Sequence, residues 1–181
     1  MKITNLVGFA LTAFTFVLLL GGMARADEIF YSVKGTSQGE FKGESIQKGQ
    51  ENSAPVRKFQ YGVISPRDTA SGQATGKRQH GPVVITKAWG ASSPQLFQAL
   101  VNNERLSEVV FDFYVPLRNT MKLDHRIKLT NANVVEIAYA TDTAEVKGPY
   151  PSFESISFTF QKIEHMDSAG RVTASDDISI P

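Results

Sequence analysis

"ITKAWGASSPQLFQAL", residues 85–100, opens with the β-branched alternation of a strand and closes with the apolar spacing of a helix. Between the two lie Trp89, Gly90, Ala91, Ser92, Ser93 and Pro94. A serine at such a corner is either a strained nucleophile or the start of a helix. The nucleophile needs a G-x-S-x-G turn, and Gly90-Ala91-Ser92-Ser93-Pro94 does not supply one. Ser93 stands instead where an N-cap belongs, and Pro94 at the first helical position, where its missing N–H costs nothing. Leu96, Phe97, Leu100 and Val101 then share one face and are expected to pack on the body of the protein. A cap contributes about 1 kcal/mol, whereas each buried side chain of this size contributes roughly 1.5–3 kcal/mol. The stretch reads as a structural joint held down by packing.

On either side of the joint, period-2 alternation dominates. Ile156, Phe158 and Phe160 interleave with Ser155, Ser157, Thr159 and Gln161, a strand with one buried face. Val109, Phe111, Phe113 and Val115 alternate with Val110, Asp112 and Tyr114. Ile127, Leu129, Val135, Ile137 and Tyr139 share one parity, which Asn131 and Asn133 interrupt. Shorter strands are expected over 29–33, 56–64 and 83–87. Six or more strands and one helix predict a mostly β domain, a sandwich or a barrel. Two polar connections stand out. Phe41 and Ile46 are expected to tuck beneath the first, 35–55. The second, 65–81, has three Gly, one Pro and no large apolar residue. A loop of that length in a compact domain is functional or disordered. Its basic run Lys77-Arg78-Gln79-His80 is either a solvated patch or a contact with a neighbouring protein. The uncharged row of Ser155, Ser157, Thr159 and Gln161 lacks the Lys and Glu that usually guard an exposed face. It suits a surface that meets another subunit or lines a passage.

The amino-terminal stretch has a different character. Lys2 is followed by an uncharged, mostly apolar run from Leu6 to Met23 and then by Ala24-Arg25-Ala26. This is the pattern of a signal peptide over residues 1–26, cut between Ala26 and Asp27. The competing reading is a retained anchor, since the run just reaches spanning length. With no Cys, the chain carries no lipid and no disulfide, so the domain 27–181 relies on packing or assembly. Without Lys2 and Arg25 the 19 basic residues fall to 17 against 18 acidic ones. That balance gives no electrostatic footprint for nucleic acid or anionic membrane.

Candidate chemistry is sparse. His80, His125 and His165 are far apart and none lies in an H-x-H or H-x-x-x-H pair, so no zinc site is expected. His165 with Asp167, or with Asp176 and Asp177, is the one conceivable carboxylate–imidazole pairing. No cofactor is expected, and no carboxylate pair singles itself out for acid–base work.

The stretches "FYSVKGTSQGEFKGES" (30–45) and "KFQYGVISPRDTASGQATGKRQHGPVVITKAWGASSPQLFQALVNNE" (58–104) carry a resemblance. "KLTNANVVEI" (128–137) and "ESISFTFQKIEHMDSAGRVTASDD" (154–177) continue it in the same order. Together they resemble the haemolysin-coregulated protein (Hcp) family, the ring-forming tube subunits of type VI secretion. The resemblance implies a small β-barrel of two antiparallel sheets with one lateral helix, and a non-enzymatic structural role. It also implies hexameric rings that stack into a tube carrying effector proteins. The family's ring-stacking loop falls on Ser65, Pro66, Arg67, Asp68, Lys77, Arg78 and His80, and its barrel-packing helix on Leu96, Phe97, Leu100 and Val101. The leader departs from the family's pattern, because such tube subunits carry no cleaved signal. An exported relative is therefore expected, periplasmic or secreted, without stable membrane insertion after cleavage. The alternatives are a barrel reused as an exported binding module and an envelope hydrolase.

Overall fold

The computed structural model describes residues 28–46, 49–118, 120–141 and 152–178. The expected leader, with Ala24, Ala26 and Asp27, lies outside them. The chain forms β1 (Glu28–Gly35), β2 (Gly39–Glu40), β3 (Ala54–Val56), β4 (Lys58–Gln60), β5 (Val63–Ile64), β6 (Gln79–His80) and β7 (Val83–Ala88). Helix α1 (Ser93–Val101) follows, then β8 (Leu106–Leu117), β9 (Thr120–Thr141), β10 (Ser152–Thr159), β11 (Lys162–Asp167) and β12 (Val172–Asp177). The protein is mostly β with one short helix, and every ladder is antiparallel.

Strand β9 organises the rest. Its first half lies between β8 and β11, and its second half pairs with β10. The order continues from β8 to β1 and β2 on one side, and from β10 to β7 and β4 on the other. This path is open at both ends, at β2 and at β4. The segment 54–60 touches both flanks, since Ala54–Val56 pairs with β1 and Lys58–Gln60 pairs with β7.

The single parity expected along β9 is corrected by two irregularities. Ile127 and Leu129 are buried, but Asn131 adopts φ 51°, a left-handed conformation that Asn tolerates better than most residues. After it Ala132 and Val134 turn inward. A register shift opposite Ser157 and Phe158 then leaves Val135 unpaired and exposed, and Ile137 returns to the core side. Tyr139 is exposed as well. The bulge thus lets one strand serve two differently oriented flanks.

The core joins Phe111 and Leu129 from one flank to Ile85, Ile156 and Phe158 from the other, with Leu96 of the helix above them. Phe111 meets Phe158 edge-on at 6.2 Å and Phe59 at 5.1 Å. On α1 the inward residues are Ser93, Leu96 and Ala99, with Leu100 packed beside them. Phe97 and Val101 are 50% and 59% exposed, which corrects half of the expected packing face. A short helix lying on a sheet buries the i, i+3, i+6 line and leaves the flanks of a wider stripe outside. Its carboxyl end closes with Asn103 at φ 49°, while Glu104 N–H donates to Ala99 O at 2.8 Å and Asn103 N–H to Leu100 O at 3.2 Å. This is a Schellman-type stop with Asn in place of Gly.

Candidate functional site

The joint between β7 and α1 is more polar than a cap. Ser92, the N-cap residue, makes no side-chain capping bond. Its hydroxyl binds Glu44 Oε1 at 2.9 Å and meets Tyr31 Oη at 2.9 Å, and its N–H donates to Glu44 at 3.1 Å. Ser93, expected to cap, donates to Glu154 Oε1 at 2.6 Å and accepts from Gly90 N–H at 2.9 Å. Beneath them Lys87 Nζ sits 3.0 Å from Glu154 and 3.2 Å from Glu44. Lys87 and Glu154 are both fully buried and directly opposite across β7 and β10. Gly90 is required by close approach, because a Cβ there would lie 2.4 Å from Glu44 Cδ. Burial drives the Tyr31 phenol well above its ordinary range. The joint fixes where the helix sits, and both serine hydroxyls are committed to it.

The loop after β5 is built from its own bonds. The Asp68 carboxylate accepts from Ala70 N–H, Ser71 N–H and the Ser71 hydroxyl, which holds it below the usual carboxylate range. Asp68 N–H donates to Gln73 O, Arg67 bridges Ala74, and Gly72 turns at φ 70°. Ser65, Arg67, Asp68, Lys77 and Arg78 are exposed, with Pro66 and His80 partly covered. Where the loop returns, Arg78 and His80 both bind the Asp176 carboxylate.

The three histidines do not form one site. His125 stacks on Phe113 at 4.2 Å and pairs with its neighbour Asp124. His165 lies near His125, and burial together with that charge lowers its pKa. Two of its expected partners are engaged elsewhere: Asp167 accepts from Ala169 N–H, Arg171 N–H and the Arg171 guanidinium, and Asp176 holds Arg78 and His80. Among the described residues no group of three His, Cys, Asp or Glu could hold a metal. Within the uncharged row, Ser157 is buried and bonds Glu136 at 3.3 Å, Ser155 is partly buried, and Thr159 and Gln161 are exposed. Two adjoining surface clefts share Glu44 and Pro55; one, of about 350 Å³, reaches Ile46, and the other, of about 250 Å³, reaches Trp89. These sizes lie near the lower end of ligand pockets, roughly 300–1,000 Å³. Ile46, expected beneath its loop, is 100% exposed, whereas Phe41 is buried.

Sequence reasoning missed Lys87, Glu154 and Glu44. The first two had a readable signal: Lys87 shares parity with Val83 and Ile85, and Glu154 with Ile156 and Phe158. Glu44 comes from a polar loop whose path no local pattern encodes.

Comparison with known proteins gives a consistent result. A family model described as "Type VI secretion system effector, Hcp" matches residues 30–166. A "Major exported protein" of Pseudomonas aeruginosa is 33% identical over 168 residues, covering 86% of this chain and 98% of that protein. A crystal structure of an Hcp protein superposes with a TM-score of 0.75 at 25% identity, over 84% of this chain and 99% of that one. The secreted protein Hcp3 from Pseudomonas aeruginosa gives 0.67 at 28% identity, over 84% and 98%.

Proposed function

The chain belongs to the Hcp family of type VI secretion, and on that premise we propose that it works as an exported ring subunit whose rings stack into a tube. The family's members are secreted structural proteins and not enzymes, and this chain is not an enzyme. The single observation that carries the assembly reading is the match to Hcp structures along nearly their whole length. Phe97 and Val101 lie exposed on α1, Val63 and Ile64 on the β5–β6 ribbon, and Trp89 at the joint. Apolar patches at different places on one chain suit a heterologous contact, which closes into a ring or propagates into a stack.

In this reading 54–60 acts as one bent strand that closes the two flanks into a barrel around Arg57, whose N–H donates to Thr86 O at 2.8 Å. The helix faces a neighbouring subunit, and the loop bearing Ser65, Pro66, Arg67, Asp68, Lys77, Arg78 and His80 meets the next ring. Six copies close the ring, and effector proteins are its cargo. The leader directs export with cleavage before Asp27, to the periplasm or beyond. Amino-terminal sequencing of the exported protein tests that step: a start at Asp27 supports it and a start at Met1 refutes it. Light scattering with electron microscopy of residues 27–181 tests assembly, closed rings being expected and a strict monomer at tens of micromolar refuting it.

A further inference from the structure

The loop from Ser65 to Arg78 ends in a cluster whose centre, Asp176, has no role in the fold or in the family assignment. Arg78, the last residue before β6, forks onto the Asp176 carboxylate through Nε and Nη2, and Nη2 also reaches Asp177 O at 3.3 Å. His80 Nε2 lies 2.9 Å from the same carboxylate, and His80 Nδ1 lies 2.6 Å from Tyr61 Oη. In a neutral imidazole the Tyr61 hydroxyl donates to Nδ1 and Nε2–H donates to Asp176, so both ring nitrogens are used. The ring is nearly covered, with its side chain 7% exposed, stacked on Tyr61 at 6.1 Å and edge-on to Phe160 at 5.7 Å. Asp176 is itself anchored, because it lies opposite the buried Ile163 across β11 and β12. Arg78 foremost, and then His80, hold its carboxyl below the usual range.

We infer that Asp176 is the positioning residue for this loop: by gripping Arg78 and His80 together, it fixes the direction in which residues 65–78 leave the β framework. The grip joins segments nearly a hundred residues apart, and it anchors only one root of the loop. The other root, Val63–Ile64, is tied to the first through the β5–β6 ladder, where Val63 pairs with His80 and Ile64 with Gln79. Holding His80 therefore holds both roots. The consequence for stacking rests on the tube reading above; the positioning itself does not.

Trypsin reads the clasp directly, since cleavage after Arg78 requires that side chain to leave Asp176. Arg171, 80% exposed in the β11–β12 turn, is the internal reference. In residues 27–181, Asp176→Asn is expected to speed cleavage after Arg78 about tenfold relative to Arg171, because cleavage follows the population of the open form. Tyr61→Phe, which removes only the donor to Nδ1, should give a smaller rise. Because Arg78 and Asp176 are partly exposed, raising salt from about 0.1 M to 1 M, which shortens screening from ~10 Å to ~3 Å, should speed the wild-type cut. Should Asp176→Asn fail to fold, Arg78→Lys breaks the fork while keeping the charge and is read in the same way. Equal rates in variant and wild type, or a rise at Arg78 and Arg171 alike, would overturn the inference. Rings without stacks in Asp176→Asn extend it to assembly, whereas a wild type that forms no rings defeats the tube reading and leaves the proteolysis result standing.

Discussion

Lys87 carries a charge into the core, where Glu154 meets it on one side and Glu44 on the other. Breaking such a pair is costly because the remaining charge stays buried, while replacing both partners with apolar groups is often nearly neutral. Lys87→Met and Glu154→Leu singly are therefore expected to lose about 3–5 kcal/mol in urea unfolding. The double variant should lose clearly less than the sum, and additive losses would show that the two side chains do not act as a pair. Gly90→Ala presses a methyl onto Glu44 and should cost roughly 1–3 kcal/mol by the overpacking argument. His165 gives a pH dependence with a definite sign. Its folded pKa lies below its unfolded value, so the unfolded state binds more protons as pH falls below about 6.5. Its contribution is present at neutral pH and is lost on acidification through the folded pKa. Unfolding curves at pH 7 and pH 5 should differ more in the wild type than in His165→Gln, and identical differences would rule out His165 as the source.

At the scale of elements, α1 shows what a short helix can and cannot bury. Leu96→Ala removes a fully buried side chain and is expected to cost about 2–5 kcal/mol. Phe97→Asp and Val101→Asp, both at exposed positions, should leave the unfolding of the isolated subunit within about 0.5 kcal/mol, and so test the proposed contacts between subunits alone. The existence and kind of the long elements were legible beforehand, because alternation in β8, β9 and β10 and the Ser-Pro start of α1 are local signals. What stayed hidden were features decided by distant partners. The hydroxyl of Ser93 is drawn to Glu154 sixty-one residues away, so it does not cap the helix. Asn131 and the Val135 bulge redirect β9 because the strand must serve two flanks, and an interrupted parity marks such a place without saying which side follows. Val56–Ile64, read as one strand, is divided into three short ones by the passage from β1 to β7. Among the loop residues Asp68 was recognised as a candidate, but its role as the centre of a tight turn needed Ala70 and Ser71 in three dimensions.

For the whole molecule, a near-neutral, cysteine-free chain with a polar joint in its core and apolar side chains left exposed on several elements is suited to work by contact. The proposed assembly gives that contact a form, copies meeting head to tail. In the proposed assembly Phe97 and Val101 form the lateral contact, and Val63, Ile64 and the clasped loop the axial one. Substitutions on the helix should therefore abolish rings, and substitutions in the clasp should spare rings and abolish stacks. The most direct measurement is the native mass of residues 27–181 at tens of micromolar, read by light scattering and checked by electron microscopy. The account predicts closed rings of six copies that Phe97→Asp converts to folded monomers; a wild-type protein that remains monomeric across that range would contradict it.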